Sequence, residues 1–220
     1  MSDILSSHDT LTADDLTDLI SQFIVVKQYG SLQYLLDTLL RKVTKQNAAH
    51  KRVASLIHST RKLINSPVVT SAPEILKLLY PFYLELLTRK FRYRGKDDET
   101  VDPLVQDLLT TTTRHLNSGN ATLIDKAAQI VASLPSLLDT CVDLGDVGRF
   151  GLWLDDYTIP FFWVVREGHY DEFQQAAAQL IEIFDKLSIT PELLQKIEPS
   201  LEQFYTRFAG RQRSDKLIQA

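Results

Sequence analysis

The stretch Pro73–Lys96, PEILKLLYPFYLELLTRKFRYRGK, decides the fold. Ile75, Leu76, Leu78, Leu79, Tyr80, Phe82, Tyr83, Leu84, Leu86 and Leu87 leave almost no polar face, and a helix apolar nearly all round has to be covered on all sides. Pro81 removes one backbone donor mid-segment, so a kink or a split is expected there. Arg89, Lys90, Arg92, Arg94 and Lys96 follow, interleaved with Phe91 and Tyr93. The stretch therefore reads as a buried rod ending in a cationic, aromatic tail, with the remaining helices arranged around it.

Outward from the rod, helical spacing recurs in both directions. Leu16, Leu19, Ile20, Phe23 and Ile24 follow the i, i+3, i+4 rule, with Thr12 and Asp15 at capping-box spacing before them. Gly30 is expected to break that helix, and Ser31 to cap the next, whose inner face is Leu32, Leu35, Leu36, Leu39, Leu40 and Val43. A third pattern, Ala49, Val53, Leu56, Ile57 and Ile64, ends at Asn65-Ser66-Pro67, and Val68-Val69-Thr70 reads as a short extended linker into the rod.

Beyond the rod, Gly95–Thr100 is a polar break and the best boundary, dividing residues 1–96 from 97–220 within what reads as one continuous domain. Asp102-Pro103 is an N-cap and N1 pair. Two further helical patterns run to Pro135, and Gly145, Gly148 and Gly151 punctuate the stretch after it. Phe173–Leu187 is helical in spacing, and Thr190-Pro191-Glu192 opens a last helix. Nothing alternates with period two for long, so the expected class is all-α, an irregular helical bundle or a short stack of antiparallel helix pairs.

The segment Arg166–Phe184, REGHYDEFQQAAAQLIEIF, resembles the turn between the two helices of a tetratricopeptide hairpin. The resemblance covers about twenty residues, without that repeat's Trp, Leu-Gly and Tyr offsets or its ~34-residue period. It implies paired antiparallel helices and nothing about activity.

Composition bounds the function classes. Hydrophobic residues make up 44% and charged residues 24%, ordinary for a globular protein. The longest apolar run, Ile159–Val165, is far short of the ~20 residues of a membrane span, so no membrane segment is expected. The N-terminus carries Asp3, Asp9, Asp14 and Asp15 and lacks the pattern of a secretory signal. The single cysteine, Cys141, fits a buried small hydrophobe in a reducing compartment such as the cytoplasm.

The net charge of -4 conceals three blocks. Residues 1–40 hold one base against six acids, residues 41–96 thirteen against two, and residues 97–220 ten against twenty. Segregation of this kind points to a contact.

No reaction signature accompanies it. His8, His50, His58, His115 and His169 lack the spacing of a known metal motif. Asp139, Asp143, Asp146, Asp155 and Asp156 lack calcium-loop spacing. The glycines at 145, 148 and 151 form neither a Walker loop nor a dinucleotide fingerprint. No cofactor, metal or catalytic residue is expected.

Two sets of residues remain. Arg41, Lys42, Lys45, Lys51, Arg52, Arg61 and Lys62, with Arg89, Lys90, Arg92, Arg94 and Lys96, can form a face for a polyanion or an acidic protein. Trp153, Tyr157, Phe161 and Trp163 lie within eleven residues of chain, and one or two of those rings can line a groove. The leading expectation is a non-enzymatic adaptor or regulator whose partner is another protein. A nucleic-acid-associated helical protein using residues 41–96 is second, and an enzyme or sensor with a site in the helical core is third.

Overall fold

The computed structural model describes residues 13–46, 51–94 and 101–187, and beyond them Pro191, Gln195, Glu198, Pro199, Glu202 and Thr206, which are helical and exposed. The capping box at Thr12, the polar break at 95–100 and the side chains of Lys51, Arg94 and Lys96 lie outside the described residues. The chain is all-α. Its helices are α1 (Ala13–Val25), α2 (Tyr29–Lys42), α3 (Lys51–Ile64), α4 (Pro67–Thr70), α5 (Pro73–Arg94), α6 (Asp102–Leu116), α7 (Ala121–Val131), α8 (Pro135–Asp143), α9 (Val147–Arg166) and α10 (Tyr170–Lys186), with no strand among the described residues. They form two compact units, residues 1–104 and 105–220. The Tyr83 hydroxyl donates to the Leu104 carbonyl at 3.2 Å, and Val101 is fully buried, which holds the first turn of α6 to the first unit.

In the first unit α5 packs on α2, α3 and α4, and α1 packs on α2 and α3. The four long helices close a ring in the order α1, α2, α5, α3. The rod α5 runs unbroken through Pro81, whose ring is exposed, while Leu76, Leu79, Tyr80, Tyr83, Leu86 and Leu87 are buried. Each such side chain contributes roughly 1.5–3 kcal/mol by leaving water. Thr60 and Thr88 are tolerated inside because each hydroxyl donates to a carbonyl one turn back, Leu56 at 2.8 Å and Leu84 at 2.9 Å.

Two local expectations are corrected. The first helix ends at Val25, and the turn that closes it is made by Lys27 and not by Gly30: Lys27 takes φ 55°, and Gln28 N–H donates to the Phe23 carbonyl at 3.1 Å. A Schellman turn closed by a non-glycine residue gives no glycine signal to read. Gly30 and Ser31 then lie inside α2. Val68-Val69-Thr70 is not extended either. Ser66 caps a single helical turn, its hydroxyl accepting from Val69 N–H at 3.4 Å with Pro67 at N1.

In the second unit α9 packs on α7, α8 and α10, and α10 also packs on α7 and α8. Gly168 (φ 82°) occupies after α9 the turn position that Lys27 occupies after α1, since His169 N–H donates to the Val164 carbonyl at 3.1 Å. The equivalent residues of the two turns are therefore Lys27 and Gly168. Phe161 stacks against Phe173 with centroids 4.6 Å apart. Phe150 meets Phe184 edge-on at 6.0 Å. The end of α7 is closed from two sides: Tyr157 Oη donates to the Val131 carbonyl at 2.9 Å and Gln179 Nε2 to the Ala132 carbonyl at 3.1 Å. Cys141 is buried and free of any disulfide.

His115 is buried on α6, and burial, followed by the nearby Arg114 charge, holds its pKa down to about 4 from 6.5. Below pH 6.5 the unfolded chain takes up a proton that the folded unit refuses. Stability is thus present above pH 6.5, falls between 6.5 and 4, and levels off below. Discounted for partial screening, the loss is on the order of 2 kcal/mol. His115→Gln should flatten the difference in melting temperature between pH 7.5 and pH 5. An unchanged pH dependence in that variant would show that His115 does not carry it.

Candidate interaction surface

The direction of each helix follows from its connections. Helices packed together and joined by a few residues run antiparallel. This sets α1 against α2 through residues 26–28, and α3 against α5 through residues 65–72 and the single turn α4. A long-range contact fixes the remaining relation. Arg89 Nη1 donates to the Leu40 carbonyl at 2.6 Å and reaches the Val43 carbonyl at 3.5 Å, while its Nε donates to Glu85 at 2.6 Å. The last carbonyls of α2 thus receive a cation from the lower part of α5, where both the helix dipole and the orphan acceptors favour one.

The ends of α2 and α5 and the start of α3 are therefore at one end of the bundle. Arg41, Lys42, Lys45, Arg52 and Arg92 are all exposed there. Lys51 and Arg94 belong to the same helix ends. Among the described residues no carboxylate pairs with Lys45 or Arg52. Among the described residues Arg41 donates only to a backbone carbonyl, that of Asp37, at 3.3 Å. Arg61 and Lys62 lie elsewhere. They sit ten residues further along α3, about 15 Å by helical rise, beside the start of α5. There Arg61 Nη2 lies 3.4 Å from His58 Nδ1.

Two cations expected on the face are not available to it. Lys90 is 2% exposed. Arg89 is spent on α2 and Glu85, a role that a charge run cannot reveal because its acceptors are backbone carbonyls on another helix. Arg89→Met should lower stability by about 1–3 kcal/mol, the cost of stranding those acceptors. Urea denaturation measures it, and a change within 0.5 kcal/mol, about the noise of surface substitutions, would mean that the contact holds nothing together.

The aromatic set is placed differently from a groove. Trp153, Tyr157 and Phe161 are buried in the core of the second unit, and Tyr157 spends its hydroxyl on Val131. Desolvation raises the Tyr157 pKa well above the usual tyrosine value. Of the four rings only Trp163 keeps part of its surface, and the Arg166 guanidinium lies 4.1 Å over it. Leu152 and Ile159 are exposed on the same face of α9.

The acidic residues around the glycines have structural work. Asp139 accepts from Lys186 Nζ at 2.7 Å, a bond that also raises the Lys186 pKa. Asp146 caps α9 by accepting from Arg149 N–H at 3.2 Å, and its other oxygen lies 3.3 Å from Arg149 Nη1. Asp156 is raised in pKa by burial first and by neighbouring Asp155 second. Among the described residues no helix is long and apolar enough to cross a membrane. Compared with protein-family models, curated proteins and solved structures, the chain matches none.

Proposed function

We propose that this protein is a non-enzymatic interaction protein, an adaptor or regulator, that engages an acidic protein partner through the basic end of its first helical unit. The observation that supports this reading most is the Arg89 contact with Leu40, because it implies that the ends carrying Arg41, Lys42, Lys45, Arg52 and Arg92 converge. Like charges gathered at one end of a bundle repel one another and gain by meeting negative charge. An overall pI near 5.7 and an excess of acids after residue 97 favour a protein over a nucleic acid, which long-range repulsion from the rest of the chain would disfavour.

The test is capture of partners by the tagged protein from native lysate, with half of the lysate treated with nuclease. A specific partner recovered equally from both halves is the expected result. Recovery lost on nuclease treatment, together with salt-sensitive binding of random-sequence DNA or RNA, would replace this reading with nucleic-acid association.

A further inference from the structure

We propose that the second unit binds a first-row divalent transition-metal ion through Asp125 on α7 and His169 and Glu172 at the start of α10. Each residue offers one ligand atom, and the three atoms all lie within 4.8 Å of one another. His169 Nδ1 is 3.6 Å from Glu172 Oε2.

The local structure explains why these atoms are offered. Gly168 in the left-handed region turns the chain sharply after α9 and sets His169 at the N-cap of α10. An N-cap residue ordinarily uses its side chain on the N–H groups of the first turn. His169 makes no such bond, so its ring is not consumed by capping. Glu172 stands three residues on, on the same side of the first turn. Asp125 is brought to them by the packing of α10 on α7. Its two side-chain partners among the described residues, Lys126 at 3.0 Å and Gln129 at 3.4 Å, both take Oδ2, which leaves Oδ1 for another ligand.

The donor set selects the ion. One imidazole nitrogen with two carboxylate oxygens suits zinc, manganese, cobalt or ferrous iron better than calcium or magnesium, which take oxygen ligands alone. Tetrahedral zinc with bonds of ~2.0 Å holds its ligands about 3.3 Å apart. The His169–Glu172 spacing is already close to that, and side-chain rotation brings in Asp125. The side chains of His169 and Glu172 are 23% and 22% exposed, so a fourth position stays open to water. A bound ion would also cancel the repulsion between two neighbouring carboxylates and fasten α7 to the first turn of α10.

Metal-free protein, prepared by dialysis against chelator, is titrated with ZnCl2, and with MgCl2 in parallel. Bound metal is counted by elemental analysis and stability is followed by thermal melting. The expected result is one zinc per chain and a rise in melting temperature of about 10 °C at a hundredfold excess over Kd, with no response to magnesium. His169→Gln and Asp125→Asn should each fold and each lose the bound zinc and the shift. A parent protein that retains no zinc, or variants that retain the parent's stoichiometry and shift, would overturn the proposal.

Discussion

Leu79→Ala is expected to destabilise the first unit by roughly 2–5 kcal/mol. Leu79 is fully buried, on a helix that touches three of the other four in its unit, so the methyl groups removed leave a hole with neighbours on every side. Phe82→Ala, at 3% exposure, belongs in the same range. For a unit of this size each kcal/mol corresponds to roughly 4–8 °C of melting temperature. Urea denaturation gives the free energy directly. If both variants unfold within a degree or two of the parent, α5 is not what the first unit is built on.

The second large effect concerns binding. Arg41→Glu, Lys45→Glu and Arg52→Glu together should weaken capture of the partner at least tenfold, because the reversal turns attraction into repulsion at one contiguous place. Arg61→Glu with Lys62→Glu, at the other end of α3, should leave capture nearly unchanged. Both variants should keep the parent's fold, since exposed charges contribute little to stability. A drop of several degrees in the triple variant would mean that these cations already face acids of the same chain. Equal loss of capture in the two variants would mean a diffuse electrostatic attraction and not a site at one end.

The helical class and the rod were legible because both are written in period and composition. Leu76, Leu79, Tyr83 and Leu87 repeat at three and four residues, and burial of that repeat is dictated by water alone. Turn chemistry was less legible. Gly168 advertises its left-handed turn, whereas Lys27 makes the same turn with no outward sign. Ser66-Pro67 carried a helix start that was masked by the β-branched pair after it.

The site residues divide along the same line. A cation's availability depends on what lies opposite it, so Arg89, held by the carbonyls of α2, and Lys90, inside the protein, looked identical in sequence to Arg92 on the surface. Trp153, Tyr157 and Phe161 recur every four residues on one face of α9, which the core takes, while Trp163 lies on the other side. Asp125 joins His169 and Glu172 only through the packing of α10 on α7. The pair HxxE at 169–172 was visible in the chain, but it is too common to single out without its third partner.

The convergence of basic helix ends is the claim on which the functional proposal stands, and a pair of distances tests it. Spin labels are placed at residues 52 and 92 in one protein and at 62 and 92 in another, with Cys141 replaced by alanine in both. Lys62 lies about 15 Å further along α3 than Arg52, and packed helix axes are about 8–10 Å apart. Dipolar spectroscopy should therefore give a 62–92 distance longer than the 52–92 distance by roughly 8–10 Å. Equal distances, or a longer one from residue 52, would show that α3 does not run antiparallel to α5 and that Arg41, Lys45, Arg52 and Arg92 do not share one end of the bundle.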